Sequence, residues 1–163
     1  MKKTIVNHPE IKLIGLKVRT RNSKEFNPET AKIGALVGRY WQENIAQKIP
    51  NRKNPGVSLV GYSNYESDEH GDYDYYYGEE VTSLDEIPSE LSGLLIPAGQ
   101  FIKVTSEEGP SPQIIIDTWQ KVWQMTADDQ LGAKRGYFAD FEVYDQRASN
   151  PANMVFDIYL RTK

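Results

Sequence analysis

With 163 residues, no cysteine and a formal net charge of -4, the chain excludes disulfide staples, thiolate metal sites and a phosphate-binding surface built from clustered cations. Its length suits one domain, 1–163, or two small repeated halves sharing a core, and it can bury enough apolar surface to fold without a cofactor or metal. The basic start Met1-Lys2-Lys3-Thr4-Ile5-Val6-Asn7-His8 lacks the apolar run of a signal peptide and no later stretch reaches membrane-spanning length, so the expectation is a soluble cytoplasmic protein.

In chain order, Ile11 to Arg21 alternates as a first strand, with a bulge expected near Gly15. Asn27-Pro28-Glu29 predicts a helix start, and the helix runs to about Gln47 with Ile33, Leu36, Val37, Tyr40 and Ile45 at helical spacing and Trp41 beside that stripe. Lys48, Arg52 and Lys53, the densest basic patch, read as a solvated helix end and loop. Gly56 to Tyr65 and Tyr73 to Val81 form a predicted hairpin across the acidic segment Glu66 to Asp72. That segment lacks the ligand spacing of a calcium loop, and His70 and His8, the latter in an N-terminal tail, offer no zinc spacing.

Glu80 to Gly93 reads as a connection wrapped round the outside. Gly99 to Thr105 is the next predicted strand, followed after Pro110 and Pro112 by a helix with Ile115, Trp119, Val122, Trp123 and Thr126 at helical spacing and an exit at Leu131-Gly132. Gly136 to Asp145 and Met154 to Arg161 complete a second hairpin. The order strand, helix, strand, strand therefore occurs twice, over about 11–82 and about 98–163. The predicted fold is α+β: two βαββ repeats in a pseudo-twofold arrangement, a curved antiparallel sheet with two main helices and a central cleft.

The stretch Gly136 to Asp145 poses a question, because a strand interior disfavours glutamate and Glu142 sits between Phe141 and Val143. It either faces plain solvent or lies in a concave apolar site awaiting a partner. By alternation Tyr144 and Phe138 share its face; which face of this strand meets the helices is open at the level of periodicity.

The run Asp72-Tyr73-Asp74-Tyr75 through Gly78, the segment Ile96-Pro97-Ala98-Gly99, the helix with Thr118-Trp119-Gln120-Lys121-Val122-Trp123 and the strand Phe141-Glu142-Val143-Tyr144-Asp145 together resemble the GyrI-like effector-binding domains, the ligand modules of AraC-type and multidrug-responsive regulators. The resemblance extends from about Ile11 to Lys163. It implies two βαββ halves around a cleft that takes lipophilic, often cationic compounds between aromatic rings, with Glu142 as the counter-charge. Its expected companions are Tyr144, Trp119, Trp123, Phe138, Tyr40 and Trp41, with Tyr62, Phe101 and Tyr159 as further candidates. The repeats use nearly the whole length, so a helix-turn-helix module and direct nucleic-acid binding are not expected.

The resemblance implies three candidate functions. The first is a stand-alone binder of lipophilic cations. The second is a hydrolase of reactive small molecules using the same glutamate, as in some single-domain relatives, although the chain has no Cys nucleophile, no Ser-His-Asp order and no metal cluster. The third is a protein-interaction module like the members that inhibit gyrase, with the acidic hairpin Glu66 to Asp74 as its surface and an unknown protein partner.

Overall fold

The computed structural model describes residues 1–163. The strands are β1 (Lys2–His8), β2 (Ile11–Thr20), β3 (Ser58–Ser63), β4 (Tyr73–Val81), β5 (Ser92–Ile96), β6 (Gly99–Thr105), β7 (Ala139–Tyr144) and β8 (Asp157–Arg161); the helices are α1 (Asn22–Glu25), α2 (Ile33–Gln42), α3 (Ile45–Lys48) and α4 (Gln113–Ala127). All strands join one antiparallel sheet in the order β1-β6-β8-β7-β3-β4-β2-β5. Exchanging β1–β4 with β5–β8 reverses this order onto itself, so a pseudo-twofold axis passes between the central strands β3 and β7. The expected βαββ repeats are present, and each is preceded by one further strand.

Those two extra strands are exchanged. β1 pairs with β6 of the second half along all its residues, from Lys2 opposite Thr105 to His8 opposite Gly99, and β5 pairs with β2 of the first half. The first residues are therefore an edge strand and not the tail expected from their polarity. Backbone pairing holds an edge strand whose side chains are mostly solvated, so its sequence carries little alternation. Only Pro9 and Glu10 separate β1, at one end of the strand order, from β2, near the other end. The sheet must consequently curl until its ends approach.

Curling divides the apolar residues into three clusters. Ile14, Leu16, Val60, Tyr73 and Tyr77 pack with Tyr40 and Ile45 beneath α2 and α3, and Ile102, Val104, Ile158 and Leu160 pack with Trp119 and Val122 beneath α4. On the sheet face away from the helices, Ile11, Leu13, Leu59, Tyr76, Ile96, Phe101 and Phe141 fill the inside of the curl. Gly15 lies opposite Gly78, and a Cβ on Gly15 would come within 2.1 Å of the Tyr77 carbonyl oxygen. The expected bulge at Gly15 is absent, because pairing continues through it; the two glycines permit a close backbone approach instead.

The first long helix also starts later than its Asn-Pro-Glu signal suggested. Asn27 uses its side-chain oxygen to accept from the Glu29 amide within a turn, and the Glu25 carboxylate accepts from the amides of Lys32 and Ile33, where α2 begins. A carboxylate arriving from outside the helix thus serves donors left open at its first turn. Asn44, in the left-handed conformation with φ 49°, then separates α2 from α3. No helix is long and apolar enough to cross a membrane.

Candidate functional site

β7 turns Asp140, Glu142 and Tyr144 toward the helices and Phe141 toward the curled interior. Its neighbour β3 places Val60 directly opposite Glu142, so Tyr62, two residues on, lies diagonally across on the same face. The Tyr62 hydroxyl and, at 3.1 Å, the Trp119 indole Nε1 donate to Glu142 Oε2, and the Tyr144 hydroxyl donates to Oε1. These donors are fixed in turn. The Tyr144 ring stacks on Phe156 with centroids 5.1 Å apart, and the Tyr62 ring lies edge-on to those of Tyr73, Tyr75 and Trp119 at 5.4–5.5 Å.

Above this floor is a cleft of about 1140 Å³ between the two long helices. Helix α2 lines it with Ile33, Val37 and Trp41, and α4 with Ile115, Trp119 and Trp123, each set four residues apart and so on one helical stripe. Tyr73, Tyr75 and Tyr77 form a ladder along one face of β4, and Met154 contributes from the far side. The mouth carries exposed Phe26 and Trp41; the Phe26 ring meets Trp123 edge-on at 5.8 Å, bringing the two halves together across the rim. Such a space, apolar with a few convergent polar groups, suits a large lipophilic molecule.

The polar centre of the cleft is electrostatically incomplete. Five carboxylates are buried. Four have a cation: Asp74 has Lys17 and Arg19, Glu79 has Arg52, Asp140 has Arg135 and Asp157 has Arg147. Glu142, only 1 % exposed, has three neutral donors and no cation. Burial pushes its carboxyl above the usual carboxylate range, against the opposing pull of the hydrogen bonds from Tyr144, Tyr62 and Trp119. Burial, and next the neighbouring Glu142, also raise Tyr62, Tyr75 and Tyr144 well above the ordinary phenol value, keeping them neutral donors.

Of the residues singled out from the sequence, Glu142, Tyr144, Trp119, Trp123, Trp41 and Tyr62 converge on the cleft. Four do not. Tyr40, one position before Trp41, is rotated about 100° round the helix and is buried in the cluster beneath α2. Phe101 and Tyr159 belong to the opposite face of the sheet, where the Tyr159 ring stacks on Phe141 at 4.4 Å, because β8 sets Tyr159 opposite Phe141 and not opposite Glu142. Phe138 precedes β7, outside the strand alternation that linked it to Glu142, and is exposed with Arg161 5.8 Å from its ring.

Sequence reasoning passed over the tyrosine ladder of β4 as a site, although tyrosines at positions i, i+2 and i+4 of a strand signal one aromatic face. It also placed His8 in a tail, whereas its ring sits 5.1 Å from Phe141 and 5.3 Å from Tyr159 on the interior face. The acidic hairpin is neutralised in part: Arg21 reaches Asp72 at 2.6 Å and Arg19 reaches Asp74 at 3.1 Å, while Glu66, Asp68 and Glu69 have no lysine or arginine partner.

The sequence pattern that defines the integron-associated effector binding proteins matches residues 4–160. The Bacillus subtilis (strain 168) protein YobU, named as a candidate transcriptional regulator, is 30% identical over 159 residues, which cover 97% of this chain and 96% of YobU. Among solved structures, the integron cassette protein VCH_CASS2 from the mobile metagenome of Vibrio cholerae superposes with a TM-score of 0.80 at 30% identity, covering 99% of this chain and 95% of its own. The protein SAV2435, whose structure holds tetraphenylphosphonium, superposes with a TM-score of 0.77 over 100% of this chain and 94% of its own; at 14% identity that likeness concerns the fold.

Proposed function

The chain belongs to the integron-associated effector binding proteins, within the GyrI-like group whose motifs it carries, and on that premise we propose that it binds lipophilic cations in the aromatic cleft with Glu142 as their counter-charge. The observation that carries this reading is that Glu142 alone among the buried carboxylates lacks a cation. A buried unpaired carboxylate is costly, and a cationic ligand relieves that cost while its apolar body displaces water from the walls. The tyrosine and tryptophan faces add attraction for positive charge. Tetraphenylphosphonium, held by the structural relative SAV2435, has the bulk and charge such a cleft would take.

All three tryptophans of the chain line the cleft, so their fluorescence reports on it. Titration with tetraphenylphosphonium should quench that fluorescence saturably, and Glu142→Gln should weaken binding by roughly tenfold to a hundredfold, the scale of one partly screened charge pair at a buried site. A neutral analogue, triphenylphosphine oxide, should not distinguish the two proteins. Equal affinity of both proteins for the cation would end the counter-charge reading. A changed ligand mass in the same samples would favour the hydrolase.

A further inference from the structure

Six tyrosines line the cleft, and four of them have side-chain hydrogen bonds. Tyr62 and Tyr144 donate to Glu142, Tyr65 to Asp140 at 2.6 Å and Tyr73 to Asn22 at 2.9 Å. Tyr77, edge-on to the Tyr40 ring at 4.7 Å, has no side-chain hydrogen bond and is 9% exposed. Tyr75 has none either and is the more buried of the two; it stands between Tyr73 and Tyr77 on the same face of β4 and opposite Tyr62 across the β3–β4 ladder. The residue is 5% exposed, and its hydroxyl is not among the polar atoms sealed from solvent, so its opening is to the cleft.

An open hydroxyl in an apolar wall discriminates between ligands. When the cleft fills, water leaves Tyr75, and a wholly apolar surface laid against the hydroxyl leaves its donor unmatched. Accepting an N–H from the cation is the weaker use of this group: Glu142 Oε2 already takes two donors, but Oε1 takes one and keeps a lone pair, and a charged oxygen captures an N–H in preference to a phenol. What Tyr75 lacks is an acceptor.

We propose that the Tyr75 hydroxyl donates a hydrogen bond to the bound molecule, which is therefore a lipophilic cation carrying an ether, carbonyl or hydroxyl oxygen outside its charged centre. This rests on the reading of the cleft as a cation site. Within that reading Tyr75 determines specificity and Glu142 determines charge.

The test uses two phosphonium cations of nearly identical shape, (4-methoxyphenyl)triphenylphosphonium and (4-ethylphenyl)triphenylphosphonium, which differ by an oxygen in place of a methylene. Because three arms are equivalent, the substituted arm is free to take the orientation that reaches Tyr75. Wild type should bind the methoxy compound about three- to tenfold more tightly, as expected for one net hydrogen bond, and Tyr75→Phe, which keeps the ring, should bind the two equally. Equal affinities in wild type, a comparison that needs no variant, overturn the proposal while leaving the cation site standing. A preference that survives in a Tyr75→Phe protein of normal melting temperature also overturns it. Failure of both cations to quench the tryptophans removes the cation reading and this proposal together.

Discussion

Two carboxylates two residues apart on β7, on one face and both withdrawn from water, have opposite surroundings. Asp140 accepts from Arg135 at 2.7 Å, from Tyr65 at 2.6 Å and from the Arg161 amide at 2.8 Å, and so has its cation within the chain. Glu142 accepts from two phenols and an indole and has none. The first arrangement is compensated in charge, although Arg135 keeps Nε and Nη1 buried without a partner; the second, on the proposed reading, is a carboxylate whose counter-charge comes from outside the chain. Buried charge is tolerated only when compensated, so what surrounds each carboxylate indicates whether its partner is part of the fold or comes from outside.

Breaking the Asp140–Arg135 pair should have the largest effect. Asp140→Ala leaves the Arg135 guanidinium buried and permanently charged, and urea unfolding at pH 7 should show a loss of about 3–5 kcal/mol. Glu142→Gln should be far milder in the unliganded protein, within about 1 kcal/mol of wild type by the same measurement, because an unpaired acid is removed. A loss as large as that of Asp140→Ala would make Glu142 structural and erase the contrast.

Proton linkage sharpens the same difference. The folded protein raises the Glu142 carboxyl above its ordinary value of 4.5. Between that value and the raised one, native Glu142 holds a proton that the unfolded chain has released, so this group's contribution to stability declines as pH rises through the window and is level above it. A bound cation favours the ionised form, expels the proton and reverses the trend. Affinity for tetraphenylphosphonium should therefore fall as pH is lowered through the window in wild type and stay flat in Glu142→Gln, measured by fluorescence titration. Trp119→Phe, which removes one of three donors, should shift that pH profile upward and cost about 1 kcal/mol in urea.

Glu142 was legible in the sequence because a glutamate between Phe141 and Val143 contradicts strand propensity; the four-residue spacing of Trp119 and Trp123 showed one helical stripe, which by itself reads as core, and only the family resemblance pointed them to the cleft. Asp140 and Arg135 were not legible as a pair: five residues apart and separated by an irregular segment, they meet only through tertiary placement. The misplaced aromatics have one cause. Alternation assigns faces within a strand, but only pairing register relates one strand's faces to its neighbour's, and that register puts Tyr159 beside Phe141. Lys2–His8 was missed because the hydrogen bonds that make it a strand leave no mark on an edge whose side chains are solvated.

The exchange of β1 and β5 makes each half an incomplete object. A chain opened in the exposed stretch around Glu86 would leave a first piece lacking the β5 that covers β2 and a second lacking the β1 that covers β6. Neither piece closes its own sheet, yet each carries the strand the other lacks, so the pieces are complementary and should reassemble by mutual strand donation. The cleft draws one wall from each piece. Ligand and reassembly are thus coupled: a molecule that fills the cleft should also hold the two pieces together, making the opened protein a sensor whose output is the joining of its own halves.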